Sequence, residues 1–384
     1  MAMDRLFQLM KEKNASDMFF AINSPIHLKI NGNLLPINQQ KMDEDNIMTL
    51  LSEVVSAEHL QQFKRDNELN VGIGAPGIGR FRLSAFKQRG STSAVFRFVP
   101  GIIPPFTSLN LPPVLSELVM EKRGLILVVG ATGSGKSTSI ASMLDFRNET
   151  KTGHILTIED PIEYLFRSKK SIVNQREVGT DADSLKTALR NSLRQAPDCI
   201  LIGEIRDLET MMAAIAYAQS GHLVVATLHA NNSYQALNRI ISFFPIENRS
   251  ALLLDLASAI KAIISQRLVK ATNGGRCPAV EIMLNTRYVA ELIEQGNIFQ
   301  IKEAIEKSLA PGSQTFERAL LQLIKDGLIT QDEGLANADS ANNLLWLINN
   351  DAMLAQKNQP AAAAPEPEPE LKDQATFTEF TLTI

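Results

Sequence analysis

The sequence predicts an α/β protein with an N-terminal α+β domain followed by a domain in which strands and helices alternate. The chain has 384 residues, of which 45% are apolar and 21% charged, so it is long enough to bury two cores. Five prolines crowd the 14 residues from Pro100 to Pro113 and are typical of an interdomain linker. Beyond them, apolar runs alternate with helical patterns, which is typical of βαβ units and a parallel sheet.

The region up to Thr107 indicates a strand-rich sheet with helices on one side. Alternating apolar residues mark the strands, and Asn31-Gly32-Asn33 is a strong hairpin turn. We expect helices at Asp4–Lys13, Glu44–Val55 and Ala57–Asp66, and strands at Met18–Ile22, His27–Ile30, Leu34–Ile37, Leu69–Ile73, Gly79–Phe86 and Thr92–Phe98.

The region after the prolines supplies the parallel sheet. We expect strands at Leu125–Val129, His154–Ile158, Cys199–Ile202 and His222–Leu228, and helices at Ser137–Glu149, Ser184–Arg194 and Leu208–Gln219. From Ala236 to about Asp326 helices are expected to dominate, interrupted by a strand-like Pro278–Leu284. The predicted domains are therefore residues 1–107, a linker at 108–118, a second domain at 119–330 and a C-terminal extension at 331–384.

The C-terminal extension has a weaker pattern. Ala341–Leu354 could form an amphipathic helix that docks on a partner or folds back on its own core. The acidic, proline-rich Pro360–Glu370 is not expected to pack.

Charge and cysteine content exclude several classes of protein. Lysine and arginine total 38 against 42 aspartate and glutamate residues, and the resulting −4 equals the charge of residues 359–384 alone, so the body is near neutral and unsuited to nucleic acid. Cys199 and Cys277 are too few for a disulfide framework or a four-thiolate zinc site, which favours a reducing compartment. No apolar run approaches the roughly 20 residues of a membrane span, and the N-terminus has no signal-peptide pattern, so we expect a soluble protein.

A phosphate-binding loop follows the first strand of the second domain. The motif G-x-x-x-x-G-K-[ST] is matched in full and opens a helix, as this motif requires. Its glycines let backbone N–H groups point at phosphate, the lysine reaches the β- and γ-phosphates, and the serine hydroxyl can ligate Mg²⁺. The candidate nucleotide-binding residues are Gly130, Ala131, Thr132, Gly133, Ser134, Gly135, Lys136, Ser137 and Thr138.

Carboxylates follow two further strands of this sheet. In a parallel sheet the strand C-termini share one edge, where ligands bind. Glu204 follows Cys199–Ile202 and is placed to hold Mg²⁺ through water, while Glu163 follows His154–Ile158 and could orient or deprotonate the attacking water. The alternative is that such acids only cap helices, as Asp207 does before Leu208–Gln219.

Histidines and arginines are the remaining candidates. His222 and His229 lie seven residues apart, so both reach the site only if the chain turns near Leu228, and a buried, hydrogen-bonded histidine is the ordinary alternative. The N-terminal strands carry Arg80, Arg82, Arg89 and Arg97, which either lie on a solvated face or bring a cation to the phosphates from a closing domain.

These residues together resemble a family of secretion-type ring ATPases, the type IV pilus retraction group, and within it the PilU branch. The resemblance covers roughly residues 1–330. It rests on GATGSGKST (Gly130–Thr138), TIEDPIEY (Thr157–Tyr164), ILIGEIRDLET (Ile200–Thr210), GHLVVATLHANNSYQALNRIISFFP (Gly221–Pro245), FRLSAF (Phe81–Phe86) and AVFR (Ala94–Arg97).

The resemblance implies a PAS-like N-terminal domain, a RecA-like ATPase domain and a ring of six subunits. It further implies an Mg²⁺-dependent, cytoplasmic ATPase that docks on an inner-membrane platform protein and drives pilus disassembly. The family's Asp box, Walker B and His box fall on Ile158–Glu163, Ile200–Glu204 and Gly221–His229. They make Glu163 the catalytic glutamate and place His222 and His229 on the γ-phosphate side, and the family's two nucleotide-contacting arginines fall on Arg82 and Arg97.

Departures from the family pattern favour an accessory motor. Motors of the PilT branch carry a short helix resembling AIRNLIR, and the matching Tyr288–Glu294 has Ala290 and Glu294 at its two arginine positions. The resemblance therefore implies a motor that works beside a PilT-type ring. A nucleotide-dependent scaffold that recruits another motor stays open as an alternative, and a nucleic-acid-stimulated ATPase is disfavoured by the neutral body.

Overall fold

A computed structural model describes residues 1–30, 32–99 and 101–357, with side chains as far as residue 350. Asn31 of the predicted hairpin turn and the proline-rich Pro360–Glu370 lie outside the described residues. Within the described part of the chain, no helix is both long and apolar enough to cross a membrane.

The first sheet has six strands in the order β3-β2-β1-β6-β5-β4, and all neighbours are antiparallel. Helices and sheet share one core, in which Phe7 stacks on Phe81 with ring centroids 3.8 Å apart. The elements are α1 (Ala2–Glu12), β1 (Asp17–Phe20), β2 (His27–Ile30), β3 (Asn33–Pro36), α2 (Glu44–Val54), α3 (Ala57–Asp66), β4 (Glu68–Ala75), β5 (Gly79–Gln88) and β6 (Ser91–Val99).

Strand β5 shows how the first sheet divides its two faces. Phe81, Leu83 and Ala85 alternate into the helix-covered core and are nearly fully buried. Arg80 and Arg82 therefore share the opposite face, as period-2 alternation predicts. That face turns towards the second sheet.

Glu44 anchors α2 to the first sheet, and its contribution to stability is expected to depend on pH. Burial alone would raise the pKa of Glu44, but hydrogen bonds from Lys87 and Thr92 outweigh it and lower the pKa from 4.5 to about 2. A depressed pKa in the folded state means that the stabilisation is present above pH 4.5 and is lost as the pH falls towards 2. We expect Glu44→Gln to lower the urea midpoint at pH 7, by an amount that shrinks at pH 3.

The exposed Glu58 of α3 provides the control for this prediction. Glu58→Gln should show no comparable pH-dependent difference in the urea midpoint. A Glu44→Gln penalty of the same size at pH 7 and pH 3 would contradict the assignment.

The second sheet has seven strands in the order β13-β12-β7-β11-β10-β8-β9, with every neighbouring pair parallel except β12 and β13. Apolar clusters cover both of its faces. Its first elements, after α4 (Val114–Leu118), are β7 (Gly124–Val129), α5 (Lys136–Thr150), β8 (Gly153–Glu159), β9 (Ser171–Glu177), α6 (Leu185–Ser192), β10 (Cys199–Ile202), α7 (Leu208–Gln219) and β11 (Leu223–Leu228). The remaining elements are α8 (Ser233–Ser242), α9 (Arg249–Ala259), β12 (Ile260–Lys270), β13 (Arg276–Leu284), α10 (Arg287–Glu294), α11 (Ile301–Glu306), α12 (Phe316–Lys325), α13 (Gln331–Asn337) and α14 (Ala341–Lys357).

Two strands of this sheet were not predicted. Strand β12 begins at Ile260 directly after α9 ends at Ala259, so neither glycine nor proline marks the boundary. The apolar run of β12 therefore continues a helical pattern in the sequence. The expectation that helices dominate from Ala236 to Asp326 is wrong for Ile260–Lys270. Strand β9 lies at the sheet edge and is mostly polar, which leaves little periodic signal.

The C-terminal helices pack against strands β12 and β13 of the second sheet. Leu344 of α14 is fully buried in a cluster with residues of β12, β13 and α12, while Trp346 is exposed. Of the two alternatives for Ala341–Leu354, the structure shows the helix folded back on its own core. Arg267 of β12 holds this region, since it bonds the carbonyl oxygen of Asn337 at 2.6 Å, pairs with Asp339 and lies 3.8 Å from the Phe316 ring centroid.

Candidate nucleotide-binding site

The site lies where the parallel strands of the second sheet end. Because β7, β8, β10 and β11 run in the same direction, the segments that follow them meet at one edge. Those segments carry the phosphate-binding loop, Glu163, Glu204 and His229. The first sheet covers this edge with the face that carries Arg82.

The phosphate-binding loop has the backbone that its glycines permit. Gly133 and Gly135 have φ of +78° and +86°, in the left-handed region. At Gly130, a Cβ atom would lie 2.5 Å from the carbonyl oxygen of Gln266, so the loop is closely packed against β12. The Ser134 hydroxyl is buried without a hydrogen-bond partner among the described residues, which fits a cradle built for a further acceptor or donor.

Lys136 lies at the mouth of this loop. Its Nζ donates to the carbonyl oxygens of Gly130 at 2.8 Å and Ala131 at 2.9 Å. Burial lowers the pKa of the Lys136 ammonium, and the carboxylates of Glu204 and Glu163 act in the opposite direction. A phosphate group here would supply the anion that a half-buried ammonium needs.

Glu163 meets an arginine from the first sheet. Nη2 of Arg82 lies 3.0 Å from Oε1 of Glu163, and the Arg82 Nε is buried without a partner among the described residues. Beneath them, Glu159 is buried and accepts hydrogen bonds from Thr157 and Gln175. Burial raises the pKa of Glu159 in spite of those hydrogen bonds. The Asp box therefore contains two different carboxylates, the partly exposed Glu163 and the buried Glu159.

Glu204 contacts an arginine and a histidine at the next strand end. Its carboxylate lies 2.7 Å from Nη2 of Arg206 and 3.2 Å from Nε2 of His229. Arg206 also approaches Asp160 at 3.6 Å. The predicted cap is confirmed, since Asp207 accepts the Thr210 N–H at 2.8 Å and starts α7.

One cavity of about 620 Å³ connects these groups. This volume is in the range of sites that hold a cofactor-sized ligand. Arg82, Arg97, Lys136, Glu163, Glu204 and His229 all line it, together with Thr132, Gly133, Gly135, Ser137 and Thr138 of the loop. The structure thus brings His229, Arg82, Arg97 and both predicted acids to the phosphate-binding loop.

His222 does not line this cavity, so its place on the γ-phosphate side stays a prediction from the family resemblance. Strand β11 runs straight from Leu223 to Leu228 without the turn that this prediction required. His222 therefore lies at the opposite edge of the sheet, roughly 20 Å from His229 at about 3.3 Å per residue. Its ring contacts Ser220 and the carbonyl oxygen of Tyr217, so it is hydrogen-bonded as the alternative required but only partly buried.

Arg97 lines the cavity but is paired elsewhere. Its Nε donates to Asp17 at 2.8 Å, and 63% of its side chain is exposed. It is therefore near the site and less engaged with it than Arg82.

Sequence reasoning missed several residues that shape the site. Gln266 fixes the loop, since its Nε2 donates to the Ser134 carbonyl oxygen and its Oε1 accepts from Ser139, each at 2.8 Å. Tyr164 reaches Thr138 with its hydroxyl at 2.9 Å. Arg206 was visible within the ILIGEIRDLET block, whereas Gln266 lies in a strand that the pattern did not reveal.

The donors in the cavity suit Mg²⁺. Ser137, Glu204 and Glu163 offer hydroxyl and carboxylate oxygens, the ligands that this cation prefers. The described residues include no cluster of three or more histidine, cysteine, aspartate or glutamate side chains arranged for a metal. Mg²⁺ at nucleotide sites usually takes one or two protein oxygens together with phosphates and water, and Ser137 and Glu204 would supply such oxygens.

Comparisons with known proteins agree with this geometry. Residues 2–291 match the model of the type II/IV secretion system protein family. The type IV pilus ATPase PilU of Pseudomonas aeruginosa is 46% identical over 91% of each chain, and PilT of the same organism, a type IV pilus retraction ATPase, is 36% identical over 89% of this chain and 100% of its own.

Solved structures give the same result. The crystal structure of the pilus retraction motor PilT with bound ADP superposes with a TM-score of 0.82 and 40% identity, over 88% of this chain and 98% of that one. The ATPase DotB of Legionella pneumophila has a TM-score of 0.77 at 26% identity, over 87% and 94% of the two chains. The chain described here therefore belongs to the type II/IV secretion system protein family and, within it, to the type IV pilus retraction ATPases of the PilT and PilU kind.

Proposed function

We propose that this chain is a subunit of a homohexameric, Mg²⁺-dependent ATPase that assists type IV pilus retraction and twitching motility beside a PilT-type ring. The observation that carries the proposal is the Arg82–Glu163 contact, because it brings a cation of one domain onto a carboxylate of the other above the phosphate-binding loop. Work coupled to hydrolysis requires such a connection between the nucleotide and a movable domain.

The chemistry assigned to the cavity is attack of water on the γ-phosphate of ATP. Lys136 binds the β- and γ-phosphate oxygens, and Glu163 accepts the proton of the attacking water. Ser137, and Glu204 through water, would hold Mg²⁺, which would neutralise charge on the phosphates when bound. His229 bridges from Glu204 towards the γ-phosphate side.

Arg82 has two partners in this scheme. Without nucleotide it neutralises Glu163, and a γ-phosphate in the cavity competes for the same guanidinium. As Arg82 moves onto the phosphate, Glu163 is released to accept a proton. Arg97 is the second cation of the first domain. Like Arg82, it would leave its carboxylate partner, Asp17, to bind a phosphate oxygen.

The wider assignments rest on the family. We propose a PAS-like domain at residues 1–107, a linker at 108–118, a RecA-like ATPase domain at 119–330 and a C-terminal extension at 331–384. The partners are other copies of this chain, a PilT-type ATPase and an inner-membrane platform protein, which would hold the cytoplasmic ring at the membrane. The accessory role is supported by α10, where Ala290 and Glu294 occupy the positions of the PilT-branch arginines.

Arg82→Ala tests the proposal. We expect the purified chain to bind an ATP analogue but to release phosphate roughly a hundredfold more slowly, because a transition-state cation is lost. Arg89→Ala, in the turn between β5 and β6, is the matched control and should hydrolyse ATP like the wild type. Equal rates for Arg82→Ala and the wild type would contradict a role of the first domain in hydrolysis, and stimulation by nucleic acid would favour the alternative class of motor.

A further inference from the structure

Glu177 is a buried carboxylate that belongs to none of the recognised motifs. It ends strand β9, and only 1% of its side chain is exposed. It lies beside the Asp box, since Glu159 and Glu177 are register partners in β8 and β9.

Four donors converge on this carboxylate. Its Oε2 accepts from the Ile162 N–H at 3.1 Å and from Arg80 Nη2 at 2.5 Å. Its Oε1 accepts from the Gly72 N–H at 3.2 Å and from the Thr180 hydroxyl at 3.3 Å. A single side chain thereby joins the backbone of the Asp box to strands β4 and β5 of the first sheet.

The two joined segments carry the residues that meet in the cavity. Ile162 immediately precedes Glu163, and Arg80 lies two residues before Arg82 on the same face of β5. A displacement at Glu177 is therefore transmitted to both members of the Arg82–Glu163 pair.

The junction leaves no room for a larger residue at Gly72. A Cβ atom there would lie 2.4 Å from Arg80 Nη2 and 2.6 Å from Glu177 Oε1. Both clashing atoms end flexible side chains, so an alanine would separate the ion pair rather than distort the strand. Gly74, two residues along β4, has open space at the corresponding position.

We propose that Glu177 is a positioning residue for hydrolysis, which sets the register of the first sheet against the Asp box so that Arg82 and Glu163 meet at the phosphate-binding loop. The inference rests on the proposed function and adds a residue to it. Glu177 touches neither nucleotide nor water in this scheme and acts through Arg82 and Glu163.

Glu177→Gln is the first test. Each carboxylate oxygen of Glu177 accepts two hydrogen bonds. A glutamine side chain has one acceptor oxygen and one NH₂ group, so in either orientation two of the four donors lose their acceptor. We expect kcat for ATP hydrolysis to fall about 10- to 100-fold, as misplacement of reacting groups does, with the affinity for an ATP analogue little changed. In a double-mutant cycle, Arg82→Ala should cost much less in the Glu177→Gln background than in the wild type. If the two substitutions instead lowered kcat by independent factors, so that the double variant showed their product, the proposal would be overturned.

Gly72→Ala and Gly74→Ala form the matched second test. Gly72→Ala should lower kcat as Glu177→Gln does and should also lower the urea midpoint, because it separates a buried ion pair, but it should still bind the ATP analogue. Gly74→Ala should retain both the wild-type rate and the wild-type urea midpoint. Wild-type rates in Gly72→Ala and Glu177→Gln, with an active wild-type chain, would sink this inference alone. An inactive wild-type chain would instead contradict the proposed function.

Discussion

Lys136→Ala is expected to reduce ATP hydrolysis at least about a thousandfold, because the γ-phosphate loses the cation that reaches it from the loop. The other described cations around the cavity are already paired: Arg82 with Glu163, Arg97 with Asp17, and Arg206 with Glu204. Arg82 and Arg97 belong to the first sheet and Arg206 follows β10, so even when they move onto phosphate none takes the place of an ammonium that rests on the loop carbonyl oxygens. Phosphate release from Mg²⁺-ATP measures the loss, and titration with a fluorescent ATP analogue should show weaker binding as well.

Lys186→Ala is the control for this variant. Lys186 is exposed and pairs with Glu209 on the surface, so its removal should leave hydrolysis unchanged. More than a tenth of the wild-type rate in Lys136→Ala would contradict the assignment. In cells, full pilus retraction with the inactive Lys136→Ala chain would favour a scaffold that recruits another motor.

Glu163→Gln is expected to bind ATP like the wild type and to lose turnover by roughly a thousandfold, since a neutral amide cannot take a proton from water. The substitution keeps the shape of the side chain, and its oxygen can still accept from Arg82. Binding and chemistry should therefore separate, with analogue affinity retained and single-turnover hydrolysis lost. An unchanged steady-state rate would show that Glu163 is not the base.

Glu204→Gln distinguishes the two acids. If Glu204 holds Mg²⁺ through water, this variant should need more Mg²⁺ for half-maximal hydrolysis. Glu163→Gln should show the same Mg²⁺ requirement for ATP binding as the wild type. Identical Mg²⁺ dependence in all three chains would remove the metal role from Glu204.

The sequence revealed the parts of the site that are local in the chain. The phosphate-binding loop needs a buried strand, glycines and a helix start in succession, and β7, Gly130–Gly135 and α5 supply them within 27 residues. Glu163 and Glu204 were predictable because the ends of parallel strands share an edge. For Arg82 the sequence left two alternatives open, a solvated face or contact with the phosphates. The alternation of residues along a strand shows which side chains share a face, but it does not show what covers that face.

The rest of the site depends on contacts between distant segments. Gln266 contacts the loop from strand β12, whose start is marked by neither glycine nor proline. Glu177 contacts Gly72 and Arg80, which lie about 100 residues earlier in the chain. Nothing in the spacing of residues reveals such pairs. His222 is the opposite case, because its place in a family motif assigns it to the site, whereas strand β11 separates it from the phosphate-binding loop within this chain.

Arg267 links the C-terminal helices to the edge of the second sheet that carries the nucleotide-binding site. Its guanidinium also contacts the carbonyl oxygen of Asn231 at 3.4 Å, just past His229, while Asn232 bonds Asp339 at 3.0 Å. The neighbouring residue of β12 is Gln266, which holds the phosphate-binding loop. A force applied to α13 or α14 would therefore be transmitted through Arg267 to the segment that follows His229 and, through the adjacent Gln266, to the phosphate-binding loop.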